Sequence, residues 1–394
     1  MRVIFFIVGL FVCLLGCKSQ KDKLHIAPKD SMHVAAMASL SNLEKQKYQH
    51  AIENFLNHSL LRSDFNGSIL VAKNGTIVYE KYVGYKDIKT KEGLTAETPL
   101  QIASTSKTFT AIAILKLIQE GKLQLNDSLG VFFPGFPYPG VTVKMLLSHR
   151  SGLPNYMYYL EPNHWDRKAF LTNGDVLNTL MTLRPPKAFN PNTRFQYCNT
   201  NYVLLALIIE KLSGVPFPVY MKTNIFEPLE MNNTFVCTMN DSLRITPSYN
   251  AGSGLWQLDY TDGPYGDKNV YSTPRDLLKW DQALYTNFLV NKALLDSAFT
   301  PYSNESPSQH NYGLGWRLLI LPSGKKLVYH HGRWHGFNSA FARLIDEKAT
   351  IIILGNKYKS SIYTTARKMY NLFGDYGESG VQVLEDNGGS EGKE

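Results

Sequence analysis

The chain has 394 residues, 44% of them hydrophobic and 12% aromatic, with 41 Lys+Arg against 33 Asp+Glu for a formal charge of +8. That composition excludes a disordered chain and gives enough length for one large domain or two. Residues 17–374 carry 39 basic and 27 acidic residues, a net +12, but no basic run interleaved with aromatics marks a nucleic-acid surface, so the surplus reads as an ordinary solvated face.

Met1-Arg2 is a short basic start, and Val3 to Leu15 is apolar. That stretch is too short to span a bilayer and has the length of a signal-peptide core. It ends in Leu14-Leu15-Gly16-Cys17, which resembles a bacterial lipobox. The pattern predicts removal of residues 1–16 and lipidation of Cys17, hence export and anchoring to a membrane of the bacterial cell envelope without a spanning helix. An ordinary secretory signal cleaved nearby is the alternative. Cys13 leaves with the signal, so Cys198 and Cys237 remain, as one bridge or two free thiols.

Residues 17–40 are polar and irregular and read as a tether. Ser41-Asn42-Leu43-Glu44 has the form of a capping box, and Tyr48, Ile52, Phe55 and Leu56 make an apolar stripe at helical spacing. Gly67 to Ala72 and Thr76 to Tyr79 flank Asn74-Gly75, the pattern of a tight hairpin. Pro99 to Lys107 then ends a polar loop and opens an apolar helix that Gly121 stops. A helix apolar on all sides belongs in a core. Ser104 and Lys107, three residues apart, share its first face, beside the unpaired N–H groups of the helix start.

Residues from about 120 to 300 read as a mainly helical lobe, with helices over Val143 to His149 and Tyr202 to Leu212, and one opened by Thr273-Pro274. Beyond residue 311 the pattern is strand: Trp316 to Leu321, Lys326 to His330, Phe337 to Ile345 and Thr350 to Leu354, with short turns that imply antiparallel neighbours. A helix over about Ser361 to Phe373 closes a domain spanning 41–374. Residues 375–394 hold six acids and one lysine and read as a flexible acidic tail. The expected class is α+β: an antiparallel sheet built from both chain ends, flanked by helices, with the helical lobe inserted.

Ser-x-x-Lys alone is weak, since roughly one or two matches arise by chance in a chain this long. Ser323-Gly324-Lys325-Lys326 is such a match, in a turn with no helix behind it. Around Ser104 the wider segment Gln101 to Thr110 resembles the nucleophile segment of the serine β-lactamase and penicillin-binding protein superfamily, nearest its class C-like members, which include D-alanyl-D-alanine carboxypeptidases and esterases. The segments Leu147 to Pro154, Asn190 to Asn201 and Tyr271 to Leu277 carry the resemblance further, over about residues 45 to 374. The superfamily's Tyr-x-Asn motif fits Tyr197-Cys198-Asn199 in context. Tyr285-Thr286-Asn287 and Tyr302-Ser303-Asn304 match only in spelling. Its third motif fits His330-His331-Gly332, with His330 replacing a lysine that is common there.

The resemblance implies a β-lactamase/transpeptidase-like fold and a serine hydrolase that forms an acyl-enzyme on Ser104. Lys107 would accept the proton of Ser104, and Tyr197 would relay one to the leaving group. Backbone N–H groups of Ser104 and Arg333 would hold the oxyanion. Asn199 would orient the substrate amide, and His330, with Gly332 behind it, would steer a substrate carboxylate. The implied substrates are D-amino-acid peptides, esters or related small acyl compounds, with no cofactor and no nucleic-acid partner. Class C-type β-lactam hydrolysis is the runner-up, and a non-catalytic envelope binding protein is the reading from another class. Arg333-Trp334-His335, where relatives carry small residues, and Cys198, where serine is common, put efficient β-lactam hydrolysis in doubt. A metal held by His330, His331 and His335 is the other use of that histidine cluster. No carboxylate or cysteine nearby in sequence completes a familiar ligand spacing, so no metal is assigned. Oligomeric state is left open.

Overall fold

A computed structural model describes residues 38–160, 165–241 and 244–377. The expected leader and Cys17, almost all of the tether, and the acidic tail after residue 377 lie outside the described residues. α1 (Asn42–Asn57) starts on the expected capping box, with Ser41 and Glu44 capping each other's backbone, and buries Ile52 and Leu56. β1 (Gly67–Lys73) and β2 (Thr76–Val83) form the predicted hairpin. Asn74 and Gly75 both take positive φ, 50° and 71°, which is what a two-residue turn between right-twisted strands requires. A small hairpin, β3 (Tyr85–Asp87) with β4 (Glu92–Gly93), leads to β5 (Leu100–Gln101) and α2 (Ser106–Gln119).

The helical lobe holds α3 (Leu129–Phe132), α4 (Val143–Leu147), α5 (Tyr156–Tyr159), α6 (Asn173–Thr182), α7 (Asn199–Ser213), α8 (Phe217–Met221), α9 (Pro274–Ala283) and α10 (Lys292–Ala298). Thr273 caps α9 as expected, accepting the Asp276 N–H, and Gly214 ends α7 in the left-handed region. The lobe is not purely helical. β6 (Phe235–Val236) and β7 (Val270–Ser272) join β5 in a three-stranded sheet ordered β5-β7-β6. Two- and three-residue strands carry no alternating pattern that a sequence could display.

The chain then adds β8 (His310–Tyr312), β9 (Arg317–Ile320), β10 (Lys326–Trp334), β11 (Phe337–Leu344) and β12 (Ala349–Gly355) before α11 (Ser361–Lys368). The seven-stranded antiparallel sheet has the order β2-β1-β12-β11-β10-β9-β8, so the first hairpin pairs with the last strand. β10 runs four residues beyond the predicted end at His330.

The sheet lies between two apolar layers. Ile69, Val71, Ile351 and Ile353 face α1 and α11, and Leu70, Ala72, Ile352 and Leu354 face the lobe. This is the period-two alternation of a strand buried on both faces. α2 is buried from Ser106 to Leu115, with Phe109 stacked on Trp280 at 4.2 Å between ring centroids. A buried ion pair ties the lobe to the sheet. Arg343 of β11 donates from Nε to Asp281 of α9 at 2.5 Å, and Thr350 of β12 donates to the other carboxylate oxygen, also at 2.5 Å.

Candidate active site

Ser104 does not lie on the first α-helical turn. It sits in a 3₁₀ turn, Ala103–Thr105, immediately before α2. Ala103 has φ 47°, left-handed backbone that costs an L-residue of order 1–3 kcal/mol and persists only where the surroundings enforce it. Those surroundings are specific. Ser339 of β11 donates from its hydroxyl to Ile102 O at 2.7 Å and lies 2.9 Å from the Thr105 hydroxyl. Ser106 accepts the Val270 N–H at 3.1 Å, pinning the start of α2 to β7.

Lys107, on the next turn, is buried and donates to Ser104 Oγ at 3.0 Å and to the backbone carbonyl of Asp267 at 2.7 Å. Burial pulls its amine down to about 7; the Asp267 carboxylate opposes this, and Lys268 and Arg317 add to it. Its Nζ lies 4.9 Å from the centre of the Tyr197 ring. The two residues, 90 positions apart in sequence, are therefore neighbours, and Lys107 links them to Ser104.

Tyr197 and Cys198 immediately precede α7, and Asn199 opens it. His149, from the loop after α4, holds this segment. Its Nδ1 accepts the Cys198 N–H at 3.1 Å, and its ring packs on Tyr197 at 4.2 Å between centroids. Burial and the nearby positive charges of Lys107 and Arg317 push His149 well below its ordinary value, so it is a neutral acceptor. Asn199 donates from Nδ2 to Met157 Sδ at 2.9 Å, and its buried Oδ1 has no partner among the described residues. Cys198 and Cys237 are both free thiols.

His330 occupies the expected place on β10 but not the expected state. Its side chain is fully buried, Nδ1 donates to His331 O at 2.7 Å, and Nε2 accepts from the Tyr312 hydroxyl at 3.1 Å. Burial and Arg317 hold it well below its ordinary value. A neutral ring with both nitrogens engaged inside the protein offers no exposed cation for a carboxylate. The cation facing this end of the site is Arg317 of β9, whose guanidinium lies 5.3 Å over the Tyr197 ring. Sequence reading missed it because nothing local distinguishes it from any other strand arginine.

Gly332 presses directly on the nucleophile's turn. A Cβ there would lie 2.2 Å from Ile102 O and 2.8 Å from Ser104 N. Only glycine permits that approach. Arg333 follows it, with its side chain exposed and its guanidinium 4.8 Å over Tyr358. That guanidinium is therefore engaged with the half-buried Tyr358. Trp334 is buried, donating from Nε1 to Asp262 at 2.6 Å. His335 lies 2.9 Å from both oxygens of the same carboxylate. His330 and His335 are thus committed to different internal partners. The carboxylate missing from the sequence pattern does stand beside His335, brought from 73 residues away. Asp259, Asp262 and His335 bring potential ligand atoms within 4.8 Å of one another, but Asp262 already accepts from Trp334, and Asp259 from the N–H and hydroxyl of Thr261.

Comparison with known proteins agrees with this geometry. Residues 64–372 match the family model described as Beta-lactamase. Penicillin-binding protein 4* of Bacillus subtilis (strain 168) is 37% identical over 325 residues, covering 77% of this chain and 71% of that one. The octameric penicillin-binding protein homologue from Pyrococcus abyssi superposes with a TM-score of 0.70 at 27% identity, over 83% of this chain and 78% of its own. D-amino acid amidase from Ochrobactrum anthropi SV3, in complex with L-phenylalanine amide, superposes with a TM-score of 0.67 at 25% identity, over 82% and 99%.

Proposed function

The chain belongs to the beta-lactamase family, a family of serine hydrolases, and from that premise we propose that it cleaves D-amino-acid peptides, amides or esters through an acyl-enzyme on Ser104. The contact between Lys107 Nζ and Ser104 Oγ at 3.0 Å, with an amine held at about 7, carries the reading. An amine that is neutral for a substantial part of the time near pH 7 can take the hydroxyl proton as the oxygen attacks the acyl carbon. Tyr197, against Lys107, passes a proton to the leaving group. The backbone N–H groups of Ser104 and Arg333, brought close by the contact at Gly332, receive the oxyanion. Removing one such donor costs on the order of a hundredfold in rate or more. Asn199 Oδ1, which has no partner among the described residues, accepts from the substrate amide. Arg317, rather than His330, receives a substrate carboxylate. The names of the penicillin-binding and D-amino acid amidase relatives support this substrate class.

The site of action we propose is the bacterial envelope, by a lipid on Cys17. Mass spectrometry of the mature N-terminus reads this directly, and an unmodified terminus at another residue overturns it.

Intact-mass labelling of wild type and Ser104→Ala with a penicillin and with a fluorophosphonate tests the shared chemical step. A mass gain on wild type that vanishes in S104A is expected. No gain with either reagent overturns the hydrolase and favours a binding protein. Turnover of nitrocefin, a D-Ala-D-Ala peptide and a p-nitrophenyl ester then separates β-lactam hydrolysis from peptide and ester cleavage.

A further inference from the structure

Ser104 meets β10 at Gly332, and the strand continues away from that point in two directions. Toward His330 lie Tyr197 and Arg317, the groups that attend the leaving group in the reading above. Toward the other end, two residues on and on the same face as Gly332, lies Trp334, roughly 7 Å farther along. The segment before β7 also reaches this place, since its Asp267 carbonyl receives Lys107. Its next residue, Lys268, reaches across. Lys268 Nζ lies 4.7 Å from the centre of the Trp334 ring. The same ammonium donates to the Tyr156 hydroxyl at 2.6 Å and to Pro264 O at 3.3 Å. Tyr156 in turn donates to Asp267 Oδ2 at 3.0 Å. β10 and the segment before β7 are therefore joined, one residue from Asp267 on one side and two residues from Gly332 on the other.

The joint is rigid. Trp334 is 6% exposed and Lys268 2% exposed. The indole N–H is fixed on Asp262, which His335 also holds. Burial disfavours the Asp262 anion, but the bonds from His335 and Trp334 outweigh it and keep the carboxyl below its usual range. A buried ammonium over an indole face is a favourable arrangement.

We infer that Trp334 and Lys268 close the acyl end of the cleft, so that the enzyme accepts acyl groups of about acetyl to alanyl size and discriminates against bulky ones. The inference rests on acyl transfer at Ser104. Trp334 acts here by excluding volume, and Lys268 by holding the indole in place.

The test compares kcat/KM for p-nitrophenyl acetate and p-nitrophenyl phenylacetate, which share a leaving group, in wild type, Trp334→Phe, Trp334→Leu and Trp334→Ala. Melting curves identify any variant that fails to fold. Wild type is expected to prefer acetyl by roughly tenfold or more, the scale at which a pocket discriminates on size. The preference should be retained in W334F and fall stepwise in W334L and W334A, through a gain on the phenylacetyl ester. If W334A does not fold, the wild-type preference and W334L decide. Acylation of Ser104 by both esters without preference, or equal changes on both in every variant, overturns the closed pocket and leaves the hydrolase standing. No hydrolysis of either ester by wild type above that of Ser104→Ala overturns the hydrolase reading and this inference together.

Discussion

His149 and Tyr197 pack ring against ring beside the nucleophile's lysine, 4.2 Å between centroids and tilted by 34°, while His149 Nδ1 takes the N–H of the very next residue, Cys198, at 3.1 Å. The Asn201 amide also approaches that nitrogen, at 3.4 Å. One imidazole therefore fixes both the ring plane and the backbone of the Tyr-x-Asn segment. It touches no reacting atom, so it is a positioning residue. His149→Phe keeps a ring and removes the acceptor; His149→Gln keeps an acceptor and removes the ring. Each should lower kcat by about tenfold or more with a smaller change in KM, since a misplaced proton-transfer group acts on the chemical step. The deciding measurement is a double-mutant cycle with Tyr197→Phe. If His149 works through Tyr197, H149F costs little in the Y197F background. Equal loss in both backgrounds sinks the idea.

The pH profile follows from Lys107. Its amine is held at about 7, and only the neutral form takes a proton. For a basic group depressed by folding, the active neutral form is present above the folded value and is lost as pH falls through it. Hence kcat/KM should rise with pH through about 7. Asp267 favours the charged amine, so Asp267→Asn should move the limb to lower pH. Arg317 disfavours it, so Arg317→Gln should move the limb upward. Shifts in the same direction for the two variants would show that the limb does not belong to Lys107.

Arg317 also tests the leaving-group end. A charge-assisted bond to a carboxylate is worth about 1.5–3 kcal/mol. R317Q should therefore raise KM for a D-Ala-D-Ala peptide by roughly tenfold or more. For p-nitrophenyl acetate, which has no carboxylate, KM should change little. Replacing His330 by Gln should not reproduce that split, because the imidazole is internally bonded at both nitrogens. If H330Q, and not R317Q, weakens only the carboxylate-bearing substrate, the assignment returns to His330.

What the sequence displayed and what it hid divide along the range of the interaction. The α1 capping box, the Asn74-Gly75 turn and the Thr273 cap depend on residues a few positions apart, and the structure has all three. Ser104 with Lys107 belongs to the same class, one turn of chain apart. An antiparallel sheet built from both chain ends followed from short connections and from the positions of the strands, though not its strand order. The pairing of β5 with β7 did not, because Leu100 and Ser272 meet over 172 positions on strands of two and three residues. Asp267, Asp262 and Arg317 were likewise invisible, since what makes each matter is a partner far away in sequence. His330 stands on β10, but the fold buries its ring and bonds both nitrogens internally, which the pattern does not display, because pattern reports position while burial decides charge. Trp334 stood out as a bulky departure, but only the fold says that it faces Lys268 while Arg333 turns outward onto Tyr358.

The stability of the join between sheet and lobe turns on Arg343 and Asp281. Both side chains are buried, and Asp281 also accepts the Thr350 hydroxyl. Such a pair gains little over well-packed apolar residues, because the desolvation penalty offsets the attraction. Removing one member is different, because it leaves the other charged and buried. Asp281→Ala and Arg343→Met should each destabilise by about 3–5 kcal/mol, measured by urea denaturation at constant pH. D281A is the more damaging of the two, since it also strands the Thr350 hydroxyl. The double variant Asp281→Leu with Arg343→Met removes both charges and should lie closer to wild type than either single variant. Additive losses in the double variant would mean that the pair is not a unit and that each residue stabilises the fold through contacts of its own.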